Sequence, residues 1–391
     1  MKNFNLNAIN RLVLLKQHLT DDSKTDDIIQ IVKDTGGLHA TSATGPYLSL
    51  FVRTRNFVKE YLDEELYVKR NLGKIRCMRG TLHILTKELI PIAYTATKET
   101  WEKLSKRYAE FRGFSSEKYT EVSKSILNIL KGREMTASEI KKTLKTQLDV
   151  SAILYLMCDQ GLLVRSRPKK GWKDRNHKYS LFHEHFPNID LTKMNEIEAR
   201  TILVQQYLSS FGPVTENDTA WWTGLGKTKV QEALNNIQKQ IVRVKISNLK
   251  GYFVLLHSDE NLIKNTGFPE KRTVNLLPSL DPYLMGYKER ERYLHPKHYD
   301  KVFDRSGNAT STILLDGRVV GVWDFTEDAG PLVKLFLFET MEQNVLRKIH
   351  LEAEKTGEFI ADKRVQIKEC TAMVPLTSRT AGGVMSPLKG C

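Results

Sequence analysis

The chain has 391 residues, 40% of them hydrophobic and 27% charged, and 60 Lys and Arg stand against 46 Asp and Glu for a formal net charge of +14. Such a composition is that of a folded soluble protein and excludes disordered, fibrous and disulfide-scaffold classes. The cationic surplus points to polyanions, nucleic acid before an anionic membrane surface, and at about 100–200 residues per domain the length predicts two to four domains.

The four cysteines, Cys77, Cys158, Cys370 and Cys391, form no Cys-x-x-Cys pair, which reads as reduced thiols in the cytoplasm. The polar N-terminus lacks the apolar core of a signal peptide, and no apolar run approaches the roughly 20 residues of a membrane span. The expectation is a cytoplasmic protein without a membrane partner.

In chain order, Ile9, Leu12, Leu15 and Leu19 recur at helical spacing, Asp21-Asp22-Ser23 breaks the run, and Ile28, Ile31 and Val32 resume it until Gly36-Gly37. A helix from about Ala43-Thr44 runs through Tyr47, Leu50 and Phe51. Between the two lies Leu38-His39-Ala40-Thr41. Residues 75–86 predict two short strands around a turn at Gly80, with helix following at 87–110. Residues 118–180 then run helix, helix, helix, hairpin, which is winged-helix order; Thr136 and Glu139 form a capping-box pattern. The order recurs at 195–257. Beyond 272, strand-like runs at 274–277, 311–315 and 319–323 surround the Asp316-Gly317 turn and predict a small antiparallel sheet or barrel, followed by a helix at 341–356. The tail Thr371–Cys391 reads as poorly ordered. The class is α+β: tandem winged helices, three if the N-terminal third holds a copy, and a β-rich end. The boundaries fall at 1–115, 116–187, 188–260 and 261–391.

One hairpin concentrates charge. Arg165, Arg167, Lys169, Lys170, Lys173, Arg175 and Lys178 are interleaved with Trp172, His177 and Tyr179, opposed by Asp174 alone. Cations on a hairpin neutralise phosphates, and rings stack on or wedge into DNA. The preceding helix, with Val150, Ile153, Leu154, Leu156 and Met157, carries no basic residue to read base edges, which argues against an operator-reading repressor. Gly224-Leu225-Gly226-Lys227-Thr228 lacks phosphate-loop spacing and reads as a turn. His183-Glu184-His185 has no third ligand at a metal-site spacing, so neither metal nor cofactor is expected. His39 and Thr41, with Arg79, Thr81 and His83 as possible neighbours, pair a group that takes a proton near neutral pH with a hydroxyl that orients water. On local chemistry alone, a cap threonine beside a packing histidine is the simpler reading.

Several segments together resemble the AlkZ/YcaQ-like family of winged-helix DNA glycosylases. They are Gly37-Leu38-His39-Ala40-Thr41 with Tyr47–Arg53, Met78-Arg79-Gly80-Thr81-Leu82-His83, Asp218-x-Ala220-Trp221-Trp222-x-Gly224-Leu225, Leu276-Leu277-Pro278-x-x-Asp281-Pro282-Tyr283-Leu284-x-Gly286-Tyr287 and Asp316–Gly321. The resemblance implies three winged helices around a channel closed by a β-barrel-like domain. It also implies hydrolysis of the N-glycosidic bond of bulky or crosslinking N7-alkylated purines in double-stranded DNA; a monomer is expected. His39 and Thr41 occupy the family's catalytic Gln-x-Gln or Gln-x-Asp positions; Arg79 and His83 join the hairpin residues as candidate DNA contacts. The alternatives are a non-catalytic winged-helix DNA-binding protein, regulatory or architectural, and an RNA-binding protein using the same basic surface.

Overall fold

Local signals place the helices close to where the periodicity puts them. Asn5, Asp27, Ser115, Asn195 and Thr215 each accept a hydrogen bond from a backbone N–H of the first helical turn, satisfying donors that a helix start leaves open. Thr136 closes the expected capping box with Glu139 at the start of the Ala137–Thr143 helix. The computed structural model describes residues 2–265, 272–378 and 387–391.

Helix makes up 47% and strand 19%, a mixed α+β architecture. Three three-stranded sheets recur, each beside its own helices. The first orders Leu38–His39, Leu82–Thr86, Leu72–Arg76; the second Met135–Thr136, His177–Leu181, Leu163–Pro168; the third Asn3–Phe4, Ile241–Ile246, Phe253–Leu256. In the third sheet the N-terminal strand pairs in parallel with Lys245 and Ile246. Ile9 and Leu12 of the Leu6–Lys16 helix accordingly pack on Val244, Phe253 and Leu255, far away in sequence.

A fourth sheet runs Val274–Leu277, Thr312–Leu315, Arg318–Thr326, Leu332–Leu337, Gln366–Glu369. It departs from the expected antiparallel sheet or barrel in two ways. Its first and last strands do not pair, so it is open, and its last pair is parallel. Parallel neighbours need a crossover, which the Gln343–Ala361 helix supplies, burying Val345, Ile349 and Ala353 against the sheet. The Asp316-Gly317 turn stands as expected, with φ of 51° and 81°.

The tail departs from expectation as well. Ala372–Met373 pairs with Leu388–Lys389, and Cys370 and Cys391 form a disulfide, so the reduced-thiol reading fails for that pair. Cys77 and Cys158 are free thiols; residues 379–386 lie outside those described. Among the described residues no helix is long and apolar enough to cross a membrane.

The largest core joins the Glu196–Phe211 helix to the segment 283–294 through rings. Tyr207, Phe211, Trp222, Tyr283, Tyr287 and Tyr293 are all buried, and each tyrosine hydroxyl donates to a backbone carbonyl. Buried hydroxyls satisfied in this way fix ring positions as well as volume. A Cβ on Gly286 would meet the Phe211 ring at 2.4 Å, so this junction admits glycine only.

Candidate active site and nucleic-acid interface

The candidate pair lies at the edge of the first sheet. Gly37, at φ 105°, turns the chain into the strand Leu38–His39, and a Cβ there would stand 2.4 Å from Leu85. Antiparallel register sets His39 directly opposite His83, and their ring centroids are 4.3 Å apart. Ala40 N–H still bonds Leu82 O at 2.8 Å. The chain then leaves the sheet, and the turn residues before the Gly45–Arg53 helix take over. Side-chain alternation therefore stops between the two residues. Thr41 is exposed in a cleft of about 620 Å³, whereas His39 is 8% exposed and its ring lies tilted at 47° against that of His83.

Both imidazoles are held neutral. Burial pushes His39 well below the usual imidazole value, with His83 and Arg79 adding repulsion. Burial pushes His83 down to about 4, against a smaller opposing effect of the Thr81 carbonyl. That carbonyl lies 3.2 Å from His83 Nδ1 and can only accept, so Nδ1 carries the proton. Cys77 Sγ is 3.7 Å from the same nitrogen, and burial pushes its thiol up to about 12. His39 Nδ1 is buried without a partner.

A pH dependence of stability follows. Above about pH 6.5 folded and unfolded chains both hold neutral imidazoles. As pH falls from 6.5 towards 4, the unfolded chain takes up protons that folded His39 and His83 refuse, so stability is lost through that window. Urea unfolding should show a lower midpoint at pH 5 than at pH 7, and His83→Gln should flatten the difference. An unchanged difference in the variant would count against a buried neutral His83.

The cleft is lined by Thr41, Arg76, Thr81, Arg165, Arg175 and His177 together with Ala40, Ala43, Leu82, Leu104, Tyr108 and Tyr155, and by no acid. It thus brings Thr41 to two cations of the basic hairpin. Arg79 goes elsewhere: at φ 53° it turns its guanidinium onto the Trp221 ring at 3.8 Å, and burial lowers it to about 10. A Cβ at Gly80 would meet the Trp101 ring at 2.6 Å, so the glycine lets this turn sit on the Leu89–Phe111 helix.

The hairpin divides its residues between structure and surface. Trp172 is not a free wedge. Its ring packs on Tyr47 at 5.3 Å and Phe359 at 5.9 Å, with Lys59 above it at 4.7 Å. Lys173 pairs with Glu327 of the C-terminal unit and Lys169 with Glu139, each at 3.2 Å. Arg165 is buried with its guanidinium 5.5 Å from the Tyr155 ring, and Arg167 lies 5.2 Å from the Tyr67 ring. Lys178 is half-buried opposite Thr136. Lys170 and Arg175 are exposed and have no ion pair among the described residues.

The two remaining motifs are structural. Gly224, at φ 75°, ends the Glu216–Thr223 helix, and Gly226 caps the next. His185 is buried on a short helix whose Glu184 accepts from Gly132 N–H. Among the described residues no group of three His, Cys, Asp or Glu is placed to hold a metal ion.

An acid-free cleft at the meeting of a small sheet and a basic hairpin, with two buried histidines on the strands that border it, suits a polyanion. The family model for AlkZ-like DNA glycosylases matches residues 32–359, and the chain belongs to that family. It is 26% identical over 277 residues to the interstrand DNA cross-link repair glycosylase of Streptomyces sahachiroi, covering 66% of this chain and 71% of that protein. Its fold is similar to the solved structure of Streptomyces sahachiroi DNA glycosylase AlkZ, with a TM-score of 0.76 and 20% identity over 94% of this chain and all of that one.

Proposed function

We propose that this protein is an active DNA glycosylase that hydrolyses the N-glycosidic bond of bulky or crosslinking N7-alkylated purines in double-stranded DNA. Three winged-helix modules at 1–115, 116–187 and 188–260 carry the DNA, with Asn3–Phe4 crossing to the sheet of the third, and residues 261–391 close the channel. The protein acts in the cytoplasm as a monomer. The observation that carries this reading is Thr41, exposed in a cleft with cationic side chains and two residues along the chain from His39, whose buried ring faces His83.

The chemistry asks little of a base. Alkylation at N7 leaves the purine cationic, so the bond to N9 breaks with its electron pair neutralising the leaving base. Water oxygen bonds to the anomeric carbon of an oxocarbenium-like sugar, and its proton passes to a neutral acceptor or to solvent. Protein groups need only position that water and exclude competing geometries. The Thr41 hydroxyl orients the water, and neutral His39 offers the acceptor. A family member with glutamines at these positions uses longer amides; here the shorter hydroxyl is set at the cleft wall instead.

DNA is held by the exposed cations. Replacing Lys170 and Arg175 by Ala is expected to lower the slope of log K against log salt by about 0.9 for each phosphate contact removed. Lys169→Ala and Lys173→Ala, whose charges already face carboxylates, should change it less. Fluorescence anisotropy over a salt series checks this, and wild-type slopes in both double variants would remove the hairpin from the interface. The experiment for the whole reading is release of free base from a duplex carrying one N7-alkylguanine. Competition by RNA of equal length separates the RNA-binding alternative.

A further inference from the structure

Arg76 does not figure in the reading of the sequence, yet it is the most constrained cation in the cleft. Its Nε donates to Gly80 O at 2.9 Å. Its Nη1 donates to Ser105 Oγ at 2.9 Å and to Asp159 Oδ2 at 2.8 Å, and the guanidinium lies 5.1 Å from the Trp101 ring centroid. Nη2 has no partner among the described residues, and the side chain stays 27% exposed at the cleft wall.

The residue that holds it comes from a different unit. Asp159 ends the Val150–Asp159 helix, 83 residues further along the chain, and its side chain is 1% exposed. Its Oδ2 also accepts from Ser105 Oγ, while Oδ1 is buried with no partner. A buried carboxylate with one oxygen unmet is costly to keep, and a lone acid ending an otherwise apolar helix has no packing reason to be there. It does fix an arginine fork that still has one amino group to spare. A pre-aimed planar fork suits a phosphate oxygen better than a mobile lysine would.

We propose that Arg76 is the anchor for one DNA backbone phosphate at the wall of this cleft, and that Asp159 and Ser105 are its positioning residues. The inference rests on the cleft being the DNA-contacting face, but not on base hydrolysis. Arg165, buried over Tyr155, and exposed Arg175 line the same cleft, and with no acid among its lining residues the local field favours an anion there. An anchor at this point fixes the register of the strand whose sugar Thr41 faces.

The test is a methylphosphonate scan, in which one neutral linkage at a time replaces a phosphate around the lesion site. Wild-type protein should lose about tenfold in affinity at one linkage, in line with loss of a charged contact. Arg76→Gln should show the same loss on the unmodified duplex and no further loss at that linkage. Arg76→Lys keeps the charge but not the fork and should recover only part of the affinity. Asp159→Asn should shrink the penalty at the same linkage while the protein stays folded by circular dichroism. If Arg76→Gln weakens binding equally at every linkage, including the one that matters to wild type, the residue is structural and the proposal is overturned. A 2′-fluoro sugar at the lesion blocks hydrolysis while the lesion still fixes the register, so the scan reads binding whether or not the protein releases a base.

Discussion

His39→Ala is expected to lower the single-turnover rate of base release by about 10²- to 10⁴-fold, the range for removing a positioned proton acceptor. Duplex affinity should change little, because His39 is only 8% exposed and its neutral ring offers no charge to a phosphate. Thr41→Val, which keeps the shape and removes the hydroxyl, should act in the same direction, and Thr41→Ser should restore most of the rate. The two residues form one unit, so the double variant should be scarcely worse than the worse single one. Because both imidazoles are already neutral well below pH 6.5, the rate should be flat between about pH 6 and 8. A limb near pH 6.5 would mean that an imidazole titrates normally in the complex. Rapid-quench measurement of released base, at saturating protein, gives both the rate and its pH profile.

The second large effect concerns stability. Arg53, the last residue of the helix that follows the site, makes a two-pronged pair with Asp281 at 2.7 and 2.8 Å, and both side chains are 0% exposed. Ser49 Oγ and Tyr283 N–H also donate to this carboxylate, while the Arg53 guanidinium reaches the carbonyls of Gln17 and Ser49. The pair therefore ties the site helix to both the N-terminal helix and the C-terminal unit. Asp281→Ala leaves a buried guanidinium without its counter-charge and should cost about 3–5 kcal/mol, measured by urea unfolding. Replacing both partners by leucine should cost less than the single change, since neither charge is then stranded. A loss under about 1 kcal/mol in Asp281→Ala would be the size of an exposed pair and would contradict the burial.

Much of this architecture was legible because its signals are local. The Thr136–Glu139 capping box, the Gly36-Gly37 stop and the Asp316-Gly317 turn act over three or four residues, and the structure keeps each of them. His83 was also within reach as a neighbour of His39, because the Gly80 turn returns its strand past the candidate pair. What escaped were contacts made across units. Nothing near Trp172 shows that Tyr47, Lys59 and Phe359 will enclose its ring and turn an apparent wedge into a clasp. Nothing near Arg76 shows Asp159. The parallel strand Gln366–Glu369 and the paired ends of the tail depend on partners at least 15 residues away, which periodicity does not address.

The clasp orders the charged hairpin. Its tip is fixed to the first unit through Trp172 and to the C-terminal unit through Lys173 and Glu327, so its free cations sit on a held frame rather than a loose loop. That geometry suits backbone-held recognition of damage more than base-by-base reading, as does the preceding helix, buried at Val150, Ile153, Leu154, Leu156 and Met157.

The central claim is that this departure from paired glutamines still supports hydrolysis. Purified protein and a duplex bearing a single N7-alkylguanine, or an interstrand N7 crosslink, should be mixed at saturating protein concentration, and the free alkylated base quantified by mass spectrometry alongside binding. The account predicts base release that Thr41→Val and His39→Ala suppress while binding persists. Tight binding by the wild-type protein with every glycosidic bond left intact, across mono-adducts and crosslinks alike, would contradict it and leave a DNA-binding protein without catalysis.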